Sequence, residues 1–292
     1  MYAMLCTRPD IAHAVSLTSK YQSDPGMEHW TAVKNILKYL KRTKDMFLCY
    51  GGDQELVVTS YTDASWNTDP DDSKSQSGYM FILNGAAVSW ASSKQCTVAK
   101  SSTESEYIAA SEASSEAVWM KRFIVELGVV PSALDPLVIY CDNMGAIANA
   151  QEPRSHKRLK HIKLRYHSIR EYIEDGEVKI CKVHTDLNVA DPLTKALPRA
   201  KHDQHQNAMG VSLPAGWPGG DLHSAFLHSH PPPLRPRYEG SGALDLLRRH
   251  GLLPAQPALA RGSAFHIVSC VEADEAGIPG LLVPLLARLL PA

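Results

Sequence analysis

The chain has 292 residues, and its 30 Lys and Arg balance 31 Asp and Glu. That length supports one sizeable domain with added segments or two small ones, and the near-zero net charge leaves any nucleic-acid partner to be argued from local patches. The six cysteines are scattered with no CxxC pair, which excludes a zinc ribbon or disulfide framework and fits reduced, intracellular thiols. The N-terminus carries Arg8 and Asp10 and no long apolar region, so it does not read as a signal peptide. The apolar run 276–290 is interrupted by Pro279, Pro284 and Arg288, so no membrane span is expected.

Residues 1–46 read as helical. In DIAHAVSLTSKY and MEHWTAVKNILKYLKRT, apolar residues recur at three and four spacing. Trp30, Val33, Leu37 and Leu40 form one stripe expected to pack. Asp24-Pro25-Gly26 separates the two helices. Strands are expected at 46–50, 56–62, 78–84 and 86–92, the last two joined by Asn84-Gly85, a strong hairpin signal. A helix from about 102 to 127, stopped by Gly128, comes next. A strand at 137–141, a helix near 143–150, a helix at 158–175 ended by Gly176, a strand at 178–183 and a short helix near Asp191 complete the pattern. An antiparallel meander followed by strands alternating with helices describes an α/β mixed five-stranded sheet flanked by helices. Near residue 210 the composition shifts. No lysine follows Lys201, and prolines crowd at Pro231, Pro232, Pro233 and Pro236. Residues 206–292 are therefore expected to form a proline-rich, low-structure tail, with a docking segment at 230–238 as the alternative.

In VVTSYTDASW a strand runs into Asp63, and in LVIYC-Asp142 a second strand does the same. A carboxylate at the edge of a core is costly unless paired or coordinated; the plain alternative is that Asp63 begins a turn. Asp191, in NVADPLTKAL, stands where a helix dipole favours an anion, or serves only as a cap. For the fourth acid, helical spacing from Glu106 gives Ala110, Ala113, Ala117, Met120, Ile124 and Leu127, an apolar stripe. Glu104 lies about 200° around the helix. Glu106 thus points toward the sheet and Glu104 toward solvent. Carboxylates gathered at strand ends and a helix start repel one another unless divalent cations sit among them. Oxygen-only ligands favour Mg²⁺ or Mn²⁺, and two such ions can hydrolyse a phosphodiester.

YTDASW, SSTESEYIA, YCDN and NVADPLTKAL, in this order, resemble the ribonuclease H domain of copia-type LTR retrotransposon polyproteins. The likeness spans about residues 1–205 and includes SKSQSGYMFILNGAAVSWASSKQ and KHIKLRYHSIREYI. It implies a ribonuclease H-like fold, two Mg²⁺ ions replaceable by Mn²⁺, and cleavage of the RNA strand of RNA–DNA hybrids. Its acidic positions map to Asp63, Glu106, Asp142 and Asp191. Residues 1–46 resemble the end of the reverse transcriptase region, 47–205 the ribonuclease H-like domain, and the tail does not resemble the family. The polymerase palm would lie upstream, with a separately supplied reverse transcriptase as a partner. An intracellular location is expected: cytoplasm, virus-like particle or nucleus. His184 is the candidate for the proton-handling histidine of cellular ribonucleases H, with a plain surface histidine as the alternative.

Residues 154–170 hold seven cations, Arg154, Lys157, Arg158, Lys160, Lys163, Arg165 and Arg170, and no acid. Solvated helices usually mix signs, so this run is expected to track phosphates through Lys157, Arg158, Lys160, His161, Lys163 and Arg165. The sequence therefore reads as a metal-dependent nuclease of RNA–DNA hybrids. The competing reading is a nucleic-acid-binding remnant without useful catalysis.

Overall fold

A computed structural model describes residues 1–51, 56–128, 130, 135–152 and 162–213. Helices α1 (Tyr2–Cys6), α2 (Ala12–Ser19) and α3 (Met27–Arg42) lead into the short strand β1 (Phe47–Leu48). The meander β2 (Thr59–Ser65), β3 (Gln76–Leu83) and β4 (Ala86–Lys94) follows, then α4 (Ser102–Leu127), β5 (Leu137–Cys141), α5 (Met144–Gln151), α6 (Ser168–Glu174), β6 (Val178–Lys182), α7 (Arg199–Ala208) and β7 (Val211–Ser212). The five-stranded sheet has the order β4-β3-β2-β5-β6. Its meander half is antiparallel, and β2–β5 and β5–β6 are parallel. This is the expected mixed sheet flanked by helices.

Local chemistry explains the elements that match expectation. Asn84 and Gly85 both adopt positive φ, 53° and 82°, as a tight hairpin turn of the primed type requires. The α4 start is capped reciprocally. Ser101 Oγ accepts the Glu104 N–H at 3.3 Å, and the Glu104 carboxylate accepts the Lys100 N–H at 2.7 Å. Its end is a left-handed Gly128, whose N–H donates to Ile124 and Val125 carbonyls. Between these caps, Ala110, Ala113, Ala117, Met120, Ile124 and Leu127 are all buried.

The sheet has a core on each face. On one, α4, α5 and α6 bury Phe81, Tyr107, Ile108, Ile139, Ile147 and Ile169. On the other, Met80, Ala87 and Trp90 meet Ala12 from α2, Leu193, and Met209 and Val211 from the chain's later part. The N-terminal helices are therefore packed on the sheet. They are also pinned by one buried carboxylate, Asp10. It accepts from Arg8 Nε at 2.9 Å and Nη2 at 2.7 Å, Tyr39 Oη at 2.6 Å and Gln206 Nε2 at 3.2 Å, so that α3 and α7 meet on one side chain.

The structure departs from the expected elements in four places. The strand foreseen at 46–50 shrinks to β1, which pairs with β7 in a separate two-stranded sheet. The helix foreseen at 158–175 starts later. Residues 153–161 lie outside the described residues, and Lys163, at φ −57° and ψ 138°, is extended, so a single 3-10 turn (Leu164–His167) precedes α6. Ile162, Tyr166 and Ile169 are nevertheless buried. In α3 the packing face is rotated from the apolar stripe. Trp30 and Leu37 are 55% and 57% exposed, while His29 stacks on Tyr21 and Tyr39 bonds to Asp10. Polar-tipped side chains with specific partners set that rotation, which a count of apolar residues does not register. Finally, α7 and β7 carry the folded chain to residue 213, with Gln206, Met209 and Val211 buried. The expected tail from 214 onward lies outside the described residues. Among the described residues, no helix is long and apolar enough to cross a membrane.

Candidate metal centre

The parallel register of β2 and β5 pairs Thr62 with Cys141. The next residue on each strand is an acid, so Asp63 and Asp142 become neighbours. β2 does not end at Asp63, as the sequence suggested. Asp63 pairs with Gly78 of β3 and the strand runs on to Ser65. The sheet thus opens on one side of Asp63 only, where β5 stops and β3 continues. Glu106, one turn into α4, takes a hydrogen bond from the Ala64 backbone. Glu104 is half-buried and spent on the cap.

Asp191 opens the 3-10 turn Asp191–Leu193. Asn188, fully buried, holds this turn against β2. Its Nδ2 donates to the Thr62 carbonyl at 3.0 Å, and its Oδ1 accepts the Ala190 N–H at 3.2 Å. Ser92 Oγ on β4 donates to the Leu193 carbonyl at 2.5 Å. Gly78 lets the turn lie this close. A Cβ there would stand 2.7 Å from Leu193 Cβ and 2.8 Å from Thr194 Cγ2. Gly78→Ala is therefore expected to cost about 1–3 kcal/mol by overpacking. It should also lower turnover by up to about 10²-fold by shifting Asp191. Thermal melting and hybrid-cleavage rates check this; a variant with parental turnover would show that the turn can move without harm.

The carboxylate oxygens of Asp63, Asp142 and Asp191 lie within 4.8 Å of one another, and Glu106, Asp142 and the Cys141 sulfur form a second such group. Asp63, Glu106 and Asp191 are buried, while Asp142 is half-exposed. Burial, with Asp191 and Asp142 adding to it, pushes the Asp63 carboxyl up to about 6, although Lys195 and the Thr194 hydroxyl pull it down. Burial, followed by the charges of Asp63 and Asp142, holds Glu106 well above the usual carboxylate range. Burial likewise raises the Cys141 thiol, and every other donor in the two groups is a carboxylate oxygen. Glu106 Oε2 and both Asp191 carboxylate oxygens lack a hydrogen-bond partner among the described residues. Orphaned, buried, mutually repelling carboxylate oxygens are the donor set that suits a hard divalent cation.

Several residues around this cluster gave no periodic or compositional signal, although some lie inside the quoted motifs. Thr194 Oγ1 donates to Asp63 and to the Asp191 carbonyl. Lys195 Nζ stands 3.0 Å from Asp191 Oδ1 and 3.8 Å from Asp63 Oδ2, an ion pair without hydrogen-bond alignment. Its helical spacing from Asp191, four residues, was the available clue. Lys201 reaches Asp191 Oδ2 at 3.5 Å. His205 on α7 is buried close enough to feel the Asp191 charge, and burial lowers its pKa, which leaves it neutral.

His184 is not on the strand, since β6 ends at Lys182. It is exposed, and caps the 3-10 turn Thr185–Leu187 by accepting the Asp186 N–H. It lies 3.5 Å from the Asp186 carboxylate, which pairs with Lys201 at 3.0 Å, and Lys201 in turn reaches Asp191. Of the basic run, Lys157, Arg158, Lys160 and His161 lie outside the described residues. Lys163 and Arg165 are exposed, and the Arg165 guanidinium covers the Tyr166 ring at 4.6 Å.

No family model matches the chain. It is 47% identical over 211 residues to the retrovirus-related Pol polyprotein from transposon TNT 1-94 of Nicotiana tabacum, which covers 72% of this chain and 16% of that one. It is 40% identical over 205 residues to the Pol polyprotein from transposon RE2 of Arabidopsis thaliana, covering 70% of this chain and 14% of that one. A shorter protein of Plasmopara viticola, described as secreted RxLR effector protein 161, is 49% identical over 120 residues, covering 41% of this chain and 84% of its own length. The chain thus spans only 16% and 14% of the polyproteins it matches.

Proposed function

The chain belongs to the Pol polyprotein family of copia-type LTR retrotransposons, and from that premise we propose that it is a metal-dependent endonuclease cutting the RNA strand of RNA–DNA hybrids. The observation that carries this reading is the meeting of Asp63, Asp142 and Asp191 within one cation's reach, with the buried Glu106 Oε2, which has no hydrogen-bond partner among the described residues, beside them. Asp63, Asp142 and Asp191 would hold one Mg²⁺, and Glu106 and Asp142 the second, with Mn²⁺ able to substitute. When bound, such ions polarise the scissile phosphate, activate a water and stabilise the leaving 3′-oxygen.

The chain's own residues do the rest. Asp142, half-exposed where the sheet opens, stands on the side from which a phosphate approaches. Thr194 fixes the Asp63 carboxylate, and Asn188 with Ser92 holds the Asp191 turn. Lys195 and Lys201 balance part of the negative charge. His184, exposed beside Asp186, keeps its two readings: a proton-handling histidine for the site or a plain surface histidine that caps its turn. Choice of RNA over DNA rests on the 2′-hydroxyl and the minor-groove shape of the hybrid. The basic run that includes Lys163 and Arg165 supplies phosphate contacts.

The full chain is expected to cut the RNA strand of a labelled hybrid in Mg²⁺. A folded chain that binds hybrid but cuts in neither Mg²⁺ nor Mn²⁺ overturns the catalytic reading in favour of a binding remnant. Independently, Mg²⁺ at about 100 times its Kd should raise the melting temperature by roughly 5–10 °C. A melting temperature indifferent to Mg²⁺ would mean that the carboxylates do not hold it.

A further inference from the structure

Helix α3 presents two unlike faces. Inward, Ala32, Ile36 and Tyr39 line a cavity of about 360 Å³ shared with α2 and His202, and the Arg8–Asp10–Tyr39 bonds hold the helix down. Outward, Trp30, Lys34, Leu37, Lys38 and Lys41 are all exposed. At about 100° per residue these five fall within an arc of roughly 100°. None of Lys34, Lys38, Lys41 or Arg42 has an ion-pair partner among the described residues. Lys34 with Lys38, and Lys38 with Arg42, are like charges four residues apart, a spacing that destabilises a helix. The helix dipole favours Lys41 and Arg42 in the last turn, but Lys34 and Lys38 stand earlier and have no such support. An aromatic ring in solvent and a row of unbalanced cations together call for a polyanion.

We propose that this outer face of α3 is a second nucleic-acid contact, on which Lys34, Lys38 and Lys41 track the phosphate backbone of the hybrid beyond the metal centre and Trp30 lies against a sugar or an unpaired base. The inference rests on the ribonuclease H reading for the identity of the polyanion. Charge complementarity selects a nucleic acid over a protein, because the cores of protein interfaces are depleted in lysine, and lysines are three of the five exposed residues named in this arc. A membrane surface calls for a broad exposed apolar face beside the cations, whereas Trp30 and Leu37 form only a narrow edge next to the lysines. Backbone contacts of this kind position a duplex without reading its sequence, and an aromatic side chain beside cations is a usual companion for exposed bases. The helix is joined to the site through α2, which packs both against α3 and against the turn that carries Asp191.

The test uses the full chain and a labelled RNA–DNA hybrid of about 30 base pairs. Affinity is read by fluorescence anisotropy over a range of salt in Ca²⁺, and cleavage is read separately in Mg²⁺. The triple variant Lys34→Glu, Lys38→Glu, Lys41→Glu is expected to bind at least about 10-fold more weakly, with a salt slope lower by about 2–3, one lost contact per cation. The triple Lys→Gln variant should lose about half as much affinity while melting like the parent, which separates a lost contact from a lost fold. Trp30→Ala should weaken binding without changing the salt slope. Unchanged affinity and salt slope in both triple variants overturn the inference, as does a parent that takes up anionic lipid vesicles through these lysines while its hybrid affinity is indifferent to them. A parent that binds through α3 but never cuts supports this surface and defeats the catalytic reading. A parent that cuts, with triple variants that bind like it, does the reverse.

Discussion

Asp142→Asn is expected to lower cleavage of the hybrid's RNA strand by at least about 10³-fold, while the protein stays folded. That loss corresponds to about 4 kcal/mol of barrier. Asp142 is the acid common to both ligand groups, so its neutral isostere weakens both cation positions at once and removes the most open carboxylate of the cluster. The substitution leaves the neighbouring helix start intact, since Asn143 Oδ1, not Asp142, accepts the Ala146 N–H at 3.0 Å. Single-turnover cleavage of a labelled hybrid, titrated with Mg²⁺, is the measurement. Parental rates in a folded Asp142→Asn would remove this residue, and the shared-ligand arrangement with it. Glu106→Gln should be impaired in the same assay. Its melting temperature without divalent ions should not fall, because the change replaces a carboxyl whose ionisation is opposed by burial and by Asp63 and Asp142 with a neutral isostere.

Asp10→Asn is expected to cost about 3–5 kcal/mol of stability, the usual penalty for breaking a buried ion pair by removing one partner. Melting should fall by roughly 10 °C for a folded unit of this size. The Arg8 guanidinium would remain buried, with Thr43 as its remaining partner through the backbone carbonyl and hydroxyl, and Tyr39 and Gln206 would lose a charged acceptor. A parental melting curve would mean that the N-terminal helices unfold apart from the sheet. The expected loss has a practical corollary. Residues 46–205 taken alone would lack Ala12, Met209 and Val211, which build the second core with Met80 and Trp90. Assays of the site therefore belong on the full chain.

Much of the architecture is legible in the residues themselves, because the forces that write it are short-range. The Asn84-Gly85 turn follows from the backbone conformations those two residues tolerate. The span of α4 follows from the cap at Ser101 and the left-handed Gly128. The choice of Glu106 over Glu104 follows from helical spacing alone, since a stripe that buries Ala110 and Ala113 must bury Glu106 with them. What only the tertiary structure decided depends on partners far along the chain. Asp63 stands within a strand because β3 pairs past the point where β5 stops. Gly78 matters because the Asp191 turn, more than a hundred residues later, lies against it. Thr194 and Lys195 become neighbours of Asp63 for the same reason. Helix α3 turns Trp30 and Leu37 to solvent because the bonds to Asp10 outweigh a simple apolar stripe. Periodicity records which residues share a face; only register and packing determine what that face meets.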